Sequence, residues 1–309
     1  MTPYSAYRQD SGMGELDLGD LLLSWETHLQ AERKSANTVR LYVAGVRAFL
    51  AWCEQQGRPA VLDRPTVSAF TAGLLRHGAE AATARARQLA VRRFTTWLAE
   101  EGELAADPLL GMRPPKLDQK VVPVLSDGEL RRLVKACEGK TLRDRRDEAL
   151  VRLLAETGMR AGECVALAVG DVDVRGGLVV VRRGKGGRGR VVPFGPQTAR
   201  SIDRYLRVRR GHALAHTEHL WLGDQGRRLR YDGLRVALAA RARAAGIAHL
   251  TPHVLRHTYA HRWLAAGGTE GGLMATAGWS HRGMLDRYAA ATRQDRAAAE
   301  ARELNLGDL

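Results

Sequence analysis

A stretch with four prolines divides this chain into two parts that we expect to fold separately. Residues 106–124 read ADPLLGMRPPKLDQKVVPV, which lacks a helical period and includes several cations. Proline fixes φ and has no backbone N–H to donate, so such a run favours extended chain over helix. We therefore predict a linker over residues 112–123, between a first domain (16–111) and a second (124–309). The polar residues 1–15 are expected to form a disordered N-terminus.

The first domain is predicted to be all helical. Apolar residues recur at helical spacing from Tyr42 to Cys53, within the segment SANTVRLYVAGVRAFLAWCEQQG. Ser35 or Asn37 is placed to cap the start of this helix, and Gly57 marks its end. A second long helix is indicated by the spacing of four apolar residues: Leu89, Phe94, Trp97 and Leu98.

The second domain is predicted to combine helices with a small antiparallel sheet, which makes the whole chain mainly α. LSDGEL places Ser126 and Glu129 in capping-box spacing, and a later amphipathic helix ends at Gly158. Two valine-rich runs around a Gly-rich turn, in GGLVVVRRGKGGRGRVVPF, are typical of a β-hairpin. Further helices are expected over residues 197–210, 229–245 and 251–266. An open loop before the last helix is predicted by four of the glycines in GGTEGGLMATAGWS: Gly267, Gly268, Gly271 and Gly272.

The charge balance points to a polyanionic partner. Lys and Arg outnumber Asp and Glu by 48 to 34, with a net charge of +14 and a pI near 10.4, and nucleic acid is the usual polyanion for such a chain. A membrane location is not expected, because residues 1–20 lack the charged and apolar regions of a signal peptide and no apolar run approaches the roughly 20 residues of a membrane helix. The three cysteines are too far apart for a CxxC site and indicate a reducing compartment. With its Arg and Ala bias, the chain is expected to be a cytoplasmic bacterial protein.

Four stretches of the second domain carry side chains suited to chemistry: TGMRAGECVAL, the hairpin turn, TPHVLRHTYAHRWLAAGG and AGWSHRGMLDRYA. Taken singly, most of their polar and aromatic residues fit an ordinary surface or core role. These are Arg160, Lys185, Trp279 and Tyr288. His253 and Arg256 are more informative, since positions i and i+3 lie on one face of a helix. The start of that helix has free backbone N–H groups that favour an anion.

A zinc site is the alternative use of this helix. His253, His257 and His261 are spaced i, i+4 and i+8, which would align three imidazoles along one stripe. A zinc protease would carry Glu directly after the first His, but Val254 stands there. No nearby carboxylate or thiol offers a fourth ligand, so we predict no metal.

In this order the four stretches resemble the tyrosine recombinase (phage integrase) family, and the resemblance covers nearly the whole chain. The first domain resembles the family's helical core-binding domain, and the second its α+β catalytic domain. The family's catalytic boxes fall on seven positions: Arg160, Glu163, Lys185, His253, Arg256, Trp279 and Tyr288. Trp279 stands where most members have His, and is expected to support a phosphate oxygen or to pack beside Tyr288. GGTEGGLMATAGW is similar to members carried on mobile elements, which implies DNA integration and excision.

The resemblance implies how these residues open a phosphodiester. Arg160 and Arg256 would hold the non-bridging oxygens, where negative charge builds. Tyr288 would attack phosphorus to give a 3′-phosphotyrosyl intermediate, and His253 would take the phenol proton.

Lys185 would protonate the departing 5′-oxygen. It is one of only six lysines in an arginine-rich chain, and the last. A lysine pKa of about 10.4 can be lowered by nearby cations, whereas arginine keeps its proton above about pH 12. Arg183, Arg188 and Arg190 are the cations expected to lower it.

Double-stranded DNA is the partner that the resemblance implies. The two domains would clamp a duplex, with phosphate contacts from four cations of the first domain: Lys34, Arg40, Arg87 and Arg92. Recombination joins two duplexes, so a homotetramer on DNA is expected. The C-terminal tail, residues 293–309, would dock on a neighbouring subunit or fold back on its own. Ester exchange conserves bond energy, so neither a metal nor another cofactor is implied.

Two other functions share some of these features. A catalytically silent DNA-binding protein would need the basic charge, but not a filled set of catalytic positions. A type IB topoisomerase would use the same chemistry on one duplex, but the recombinase-like helical N-terminal domain argues against it.

Overall fold

The computed structural model describes residues 17–117, 123–182, 189–224 and 226–279, together with residues 281, 283 and 285. The chain divides after residue 120 into two compact units, each with a hydrophobic core of its own. Several predictions fall outside the described residues. They concern the N-terminus 1–15, the roles of Lys185 and Tyr288, and the tail 293–309.

The first unit is all helical, as predicted, with α1 (Leu18–Ala31), α2 (Ala36–Gln55), α3 (Arg64–Arg76) and α4 (Ala81–Glu100). Ser35, not Asn37, caps α2, because its side chain accepts from the backbone N–H of Thr38 at 3.1 Å. The two long helices pack closely at Gly45, where a Cβ would lie 2.5 Å from the Cβ of Ala90. Four fully buried aromatic rings fill the centre of this unit: Trp25, Phe49, Phe70 and Phe94.

The second unit is mainly helical around a three-stranded antiparallel sheet, so the predicted fold class is confirmed. Its helices are α5 (Asp127–Lys135), α6 (Leu142–Thr157), α7 (Ala161–Val165), α8 (Pro196–Arg209), α9 (Tyr231–Ala244), α10 (Pro252–Ala265) and α11 (Glu270–Ala277). The strands are β1 (Val172–Asp173), β2 (Leu178–Val181) and β3 (Arg190–Pro193). β2 and β3 form the predicted hairpin, and the pair next to its turn is Val181 with Arg190. The two-residue strand β1 was not predicted, since so short a segment has no period to detect.

Local capping signals set the helix ends that lead to the site. Ser126 and Glu129 form both hydrogen bonds of the predicted capping box at the start of α5. Gly158 ends α6 in the left-handed region, with φ of +57°, which a residue without a Cβ adopts most easily. The turn at Gly158 brings the chain directly to α7.

The prediction of an open loop from the first four glycines of GGTEGGLMATAGWS is wrong, because α11 occupies much of this stretch. Thr269 caps this helix by accepting from the N–H of Gly272 at 3.1 Å. The glycines make room for the indole of Trp263, since a Cβ on Gly268 or Gly272 would lie within 3 Å of that ring. The Trp263 indole N–H donates to the carbonyl of Thr269 at 3.0 Å. Tertiary packing therefore outweighs the low helix propensity of glycine.

Candidate active site

Arg160 stands at the start of α7, immediately after the turn at Gly158. Its backbone N–H and its Nη1 each donate to the Glu163 carboxylate, to Oε2 and Oε1 respectively, at 2.9 Å. The i, i+3 pair is therefore both a helix cap and an ion pair. The Arg160 side chain is 27% exposed and that of Glu163 6%, so the guanidinium is the accessible member of the pair.

A second arginine binds the same carboxylate. Arg190, the first residue of β3, donates from Nη1 to Oε1 of Glu163 at 3.1 Å and from Nη2 to Oε2 at 2.6 Å. Burial acts to raise the Glu163 pKa, but the hydrogen bonds from Arg190 and Arg160 outweigh it and hold that pKa below its ordinary value. The expected effect of Arg190 on Lys185 concerns a residue outside the described ones and stays a prediction; the contact that the structure shows is the one with Glu163.

Arg256 lies in the first half of α10, a helix that begins after the cap residue Thr251 with Pro252 as its first residue. The Arg256 side chain is buried, and its donors point to two backbone carbonyls. Nη1 donates to Gly158 at 2.6 Å and Nη2 to Ala277 at 2.8 Å. Arg256 thus holds the turn that precedes Arg160.

Three guanidinium groups converge on the C-terminal end of α11. The last carbonyls of a helix have no partner within it and form its negative end, so they accept readily from cations. The donor–acceptor pairs are Arg190 to Thr276 at 2.8 Å, Arg256 to Ala277 at 2.8 Å and Arg160 to Gly278 at 3.0 Å. Among the described residues, this cluster carries three positive charges and one negative charge, that of Glu163. In the sequence, Tyr288 lies ten residues after Gly278.

Trp279 is buried, with 5% of its surface exposed, and its indole packs on Arg256. The Cζ atom of Arg256 lies 5.2 Å from the ring centroid, within the range of a cation–π interaction. The tryptophan at the position where the resembled family more often has His is thus in contact with an arginine of the cluster.

His253 is exposed at the start of α10, while Arg256 three residues later is buried. Its ring centroid lies 6.3 Å from that of His257. Within the described part of the chain, no hydrogen bond joins His253 to the three arginines. A base role for His253 stays a prediction.

The four cations predicted to contact DNA lie on helices of the first unit or beside them. Lys34 and Arg40 are exposed and line a groove between α1 and α2 together with Arg47. Lys34 pairs with Glu32 at 3.4 Å, and Arg40 donates to Asn37 at 2.7 Å. Two half-buried arginines stand on α4: Arg87 and Arg92.

Two contributions to the cluster had no signal in the sequence. Four arginines lie in residues 182–190, around the hairpin turn. Their spacing does not show which of them binds Glu163. The carbonyls of residues 276–278 belong to backbone, which leaves no trace in side-chain patterns. Both depend on contacts between distant segments.

Neither a metal site nor a membrane helix is evident in the parts of the chain that the structure describes. No group of three His, Cys, Asp or Glu side chains there is arranged to hold a metal ion. None of the described helices is long and apolar enough to cross a bilayer.

Two family models together match most of the chain. The model of the phage integrase family matches residues 123–295, and the model of the phage integrase N-terminal SAM-like domain matches residues 22–102. Tyrosine recombinase XerC of Xanthomonas campestris pv. campestris (strain B100) is 32% identical over 257 residues, which cover 82% of this chain and 78% of that protein. Tyrosine recombinase XerD of Corynebacterium glutamicum is 32% identical over 260 residues, covering 80% of this chain and 85% of that protein.

Solved structures with a similar fold include XerH site-specific recombinase bound to a palindromic difH substrate in a post-cleavage complex. The match has a TM-score of 0.72 at 16% identity and covers 93% of this chain and 85% of that one. The Tn1549 transposon integrase in complex with transposon right end DNA matches with a TM-score of 0.71 at 17% identity, over 92% of this chain and 99% of that one. The family models, the relatives and the fold agree: the chain belongs to the phage integrase family and is a site-specific tyrosine recombinase.

Proposed function

We propose that this recombinase cuts and rejoins DNA strands through a 3′-phosphotyrosyl intermediate on Tyr288. One observation carries the proposal: the guanidinium groups of Arg160 and Arg256 are bound to the adjacent carbonyls of Gly278 and Ala277. Two groups that stay charged at any physiological pH are thereby held side by side on the segment that leads to the tyrosine. Such a pair suits the non-bridging oxygens of a phosphodiester.

In the proposed reaction the Tyr288 oxygen forms a bond to phosphorus while the bond from phosphorus to the 5′-oxygen breaks. The phenol proton passes to His253, and Lys185 gives a proton to the departing 5′-oxygen. Arg160 and Arg256 stabilise the charge of the five-coordinate state. A 5′-hydroxyl of another strand then attacks the phosphotyrosine and passes its proton to Lys185, while the bond from phosphorus to the Tyr288 oxygen breaks. His253 returns a proton to that oxygen, so a phosphodiester is restored and Tyr288 is free again. One ester is exchanged for another, so no external energy source enters the balance.

Double-stranded DNA is the substrate we propose, bound with phosphate contacts from Lys34, Arg40, Arg87 and Arg92. A homotetramer is the proposed active assembly. A lambda integrase of similar fold has been solved as a tetramer bound to a Holliday junction, with a TM-score of 0.66 at 16% identity over 85% of this chain and 77% of that one. The tail 293–309 docks on a neighbouring subunit in this proposal.

The proposed biological role is integration and excision of a mobile element, in the cytoplasm of a bacterium. The role rests on the similarity of GGTEGGLMATAGW to members carried on such elements. Sequencing the DNA on both sides of the gene tests it: element ends and an insertion junction support this role, and their absence removes it.

A covalent adduct with nicked DNA tests the reaction itself. Duplexes carrying the sequence that the full chain selects from a random library are nicked beside the cleavage position, so that the short strand is lost after attack. The wild type should form an adduct that survives denaturing electrophoresis, and Tyr288→Phe should form none. Tyr231→Phe, at an exposed tyrosine of α9, is the matched control and should behave as wild type.

An adduct that persists in Tyr288→Phe would assign the nucleophile elsewhere. Binding without any adduct would favour the catalytically silent DNA-binding alternative. Relaxation of supercoiled plasmid without strand exchange would favour the topoisomerase alternative.

A further inference from the structure

Arg190 belongs to none of the catalytic positions that the sequence indicates, yet it binds the Glu163 carboxylate at two points. Its guanidinium meets the Glu163 carboxylate with two parallel hydrogen bonds, of 3.1 and 2.6 Å. Its side chain is 11% exposed, less than the 27% of Arg160. A two-point pair at this depth is held in one geometry, since both groups are planar and desolvated.

Arg160, Glu163 and Arg190 together have a different net charge from a simple ion pair. Arg160 with Glu163 alone would carry no net charge, so the carboxylate would compete with a phosphate for the same guanidinium. Arg190 adds one positive charge and takes part of the hydrogen-bonding capacity of Glu163. The three side chains together then carry a net charge of +1, next to the charge of Arg256.

Arg190 also connects separate elements of the site. Its Nε donates to the carbonyl of Thr276 at 2.8 Å, and a Cβ on Gly278 would lie 2.9 Å from its Cζ. It stands on β3, whereas Glu163 stands on α7 and Thr276 near the end of α11. A single side chain therefore ties the hairpin to both segments that hold Arg160.

We infer that Arg190 is a positioning residue for strand cleavage: by sharing the Glu163 carboxylate it prevents that carboxylate from neutralising the charge of Arg160 and keeps the Arg160 guanidinium aimed at the scissile phosphate. Arg190 acts through Arg160 and not on the phosphate itself. The inference rests on the proposed function of the Arg160 and Arg256 pair.

The test compares four variants of the full chain in single-turnover cleavage of the nicked duplex described above. Arg190→Gln should lower the cleavage rate on the order of 10- to 100-fold, the range seen when a partner of a functional group is lost. DNA affinity should stay at the wild-type value, because in this inference Arg190 acts through Arg160 and its own donors are bound to Glu163 and Thr276. The double variant Arg190→Gln with Glu163→Gln should recover most of the rate, since no carboxylate then competes for Arg160.

Arg204→Gln is the matched control, since Arg204 pairs with the buried Glu148 at 2.7 Å on α8 and α6, outside the cluster. It should cleave at the wild-type rate. Arg190→Lys keeps the charge but not the two-point geometry, and should lose less rate than Arg190→Gln. Should Arg190→Gln fail to fold by circular dichroism, Arg190→Lys decides alone: a reduced rate with unchanged DNA affinity supports the inference, and the wild-type rate overturns it.

For a folded Arg190→Gln, a wild-type cleavage rate overturns the inference. So does a double variant that remains as slow as the single one. A binding measurement without covalent chemistry separates this inference from the proposed function. For wild type and for each variant, the affinity for inorganic tungstate is measured with and without the additional change Arg160→Gln, and the difference gives the contribution of Arg160. That affinity should fall in Arg190→Gln and return in the double variant. If the wild type forms no adduct but tungstate affinity changes in this order, the proposed function fails and the role of Arg190 stands. If tungstate affinity is the same with and without Arg190, the role of Arg190 fails as well.

Discussion

The Nη2 atom of Arg160 donates to the carbonyl oxygen of Gly278 at 3.0 Å. This hydrogen bond joins the residue before α7 to the residue after α11, which are 118 positions apart. A backbone carbonyl cannot rotate independently of its chain. The direction of the Arg160 guanidinium therefore depends on the left-handed conformation of Gly278, with φ of +66°.

Gly278→Ala should slow cleavage as well as destabilise the fold. A Cβ at this position meets the Cζ and Nη1 of Arg190 at 2.9 Å, and the left-handed backbone itself costs an alanine about 1–2 kcal/mol. Gly267→Ala is the control, since its φ is +80° but nothing lies within 4 Å of its added Cβ. Urea unfolding should show a loss in both variants, whereas adduct formation should slow only in Gly278→Ala. Equal adduct rates in the two would contradict a placing role for Gly278.

Arg256→Lys should nearly abolish cleavage, because an ammonium cannot reach both carbonyls that the guanidinium holds. We expect a rate loss on the order of 10²- to 10³-fold, as for removal of one preorganised donor. The free energy of unfolding should fall by about 1–3 kcal/mol from the unsatisfied carbonyls of Gly158 and Ala277. Arg262→Lys, an exposed position of α10 paired with Asp127 at 2.9 Å, should change neither quantity. Cleavage close to wild type in Arg256→Lys would remove Arg256 from the catalytic set.

Glu163 should contribute stability that disappears in acid. Its folded pKa lies below the ordinary 4.5 because the hydrogen bonds from Arg190 and Arg160 outweigh burial. A depressed carboxyl pKa stabilises the fold above the unfolded pKa, and this contribution is lost as the pH falls through the folded pKa. The difference in unfolding free energy between wild type and Glu163→Gln should therefore be constant near neutral pH. It should shrink once the pH falls below the ordinary glutamate pKa of 4.5. A difference independent of pH would contradict the charged state of Glu163; Asp203→Asn, at an exposed carboxylate of α8, provides the baseline.

Lys185→Ala should be rescued by a better leaving group. Without a proton donor the 5′-oxygen must leave as an alkoxide, so cleavage should slow by about 10²- to 10⁴-fold, the usual range for general acid catalysis. A substrate with sulfur in place of the bridging 5′-oxygen leaves as a thiolate and needs no proton. Single-turnover cleavage of the sulfur substrate should therefore be similar in Lys185→Ala and wild type. Arg256→Lys should not be rescued, because its loss concerns the non-bridging oxygens.

Arg40→Gln should weaken DNA binding and make the affinity less dependent on salt concentration. Arg40 is exposed in the groove between α1 and α2, and a lost phosphate contact lowers the slope of log affinity against log salt by about 0.9. Mobility shifts at several salt concentrations measure this slope. Arg76→Gln, at another exposed arginine on α3 outside this groove, is expected to keep the wild-type slope. If Arg40→Gln keeps it too, Arg40 makes no phosphate contact.

Much of the second unit was predictable because its signals are local. The capping box of Ser126 and Glu129, the left-handed Gly158 and the β2–β3 hairpin each depend on residues a few positions apart. The glycines of α11 are an exception, because local signals alone do not predict a helix there. Low helix propensity predicts a loop there, but the contact with the Trp263 indole determines the outcome.

The sequence by itself determined the division into two units, the mainly helical fold with its hairpin, and the ordered motifs by which the chain resembles the tyrosine recombinases. Spacing and residue type record these properties, since each follows from neighbours in the chain or from a motif read in order. Only the tertiary structure decided that Arg190 shares the Glu163 carboxylate with Arg160, and that three arginines meet at the end of α11. These contacts join residues 27, 21 and up to 118 positions apart. Periodicity carries no information at such separations, because packing of whole elements brings the partners together.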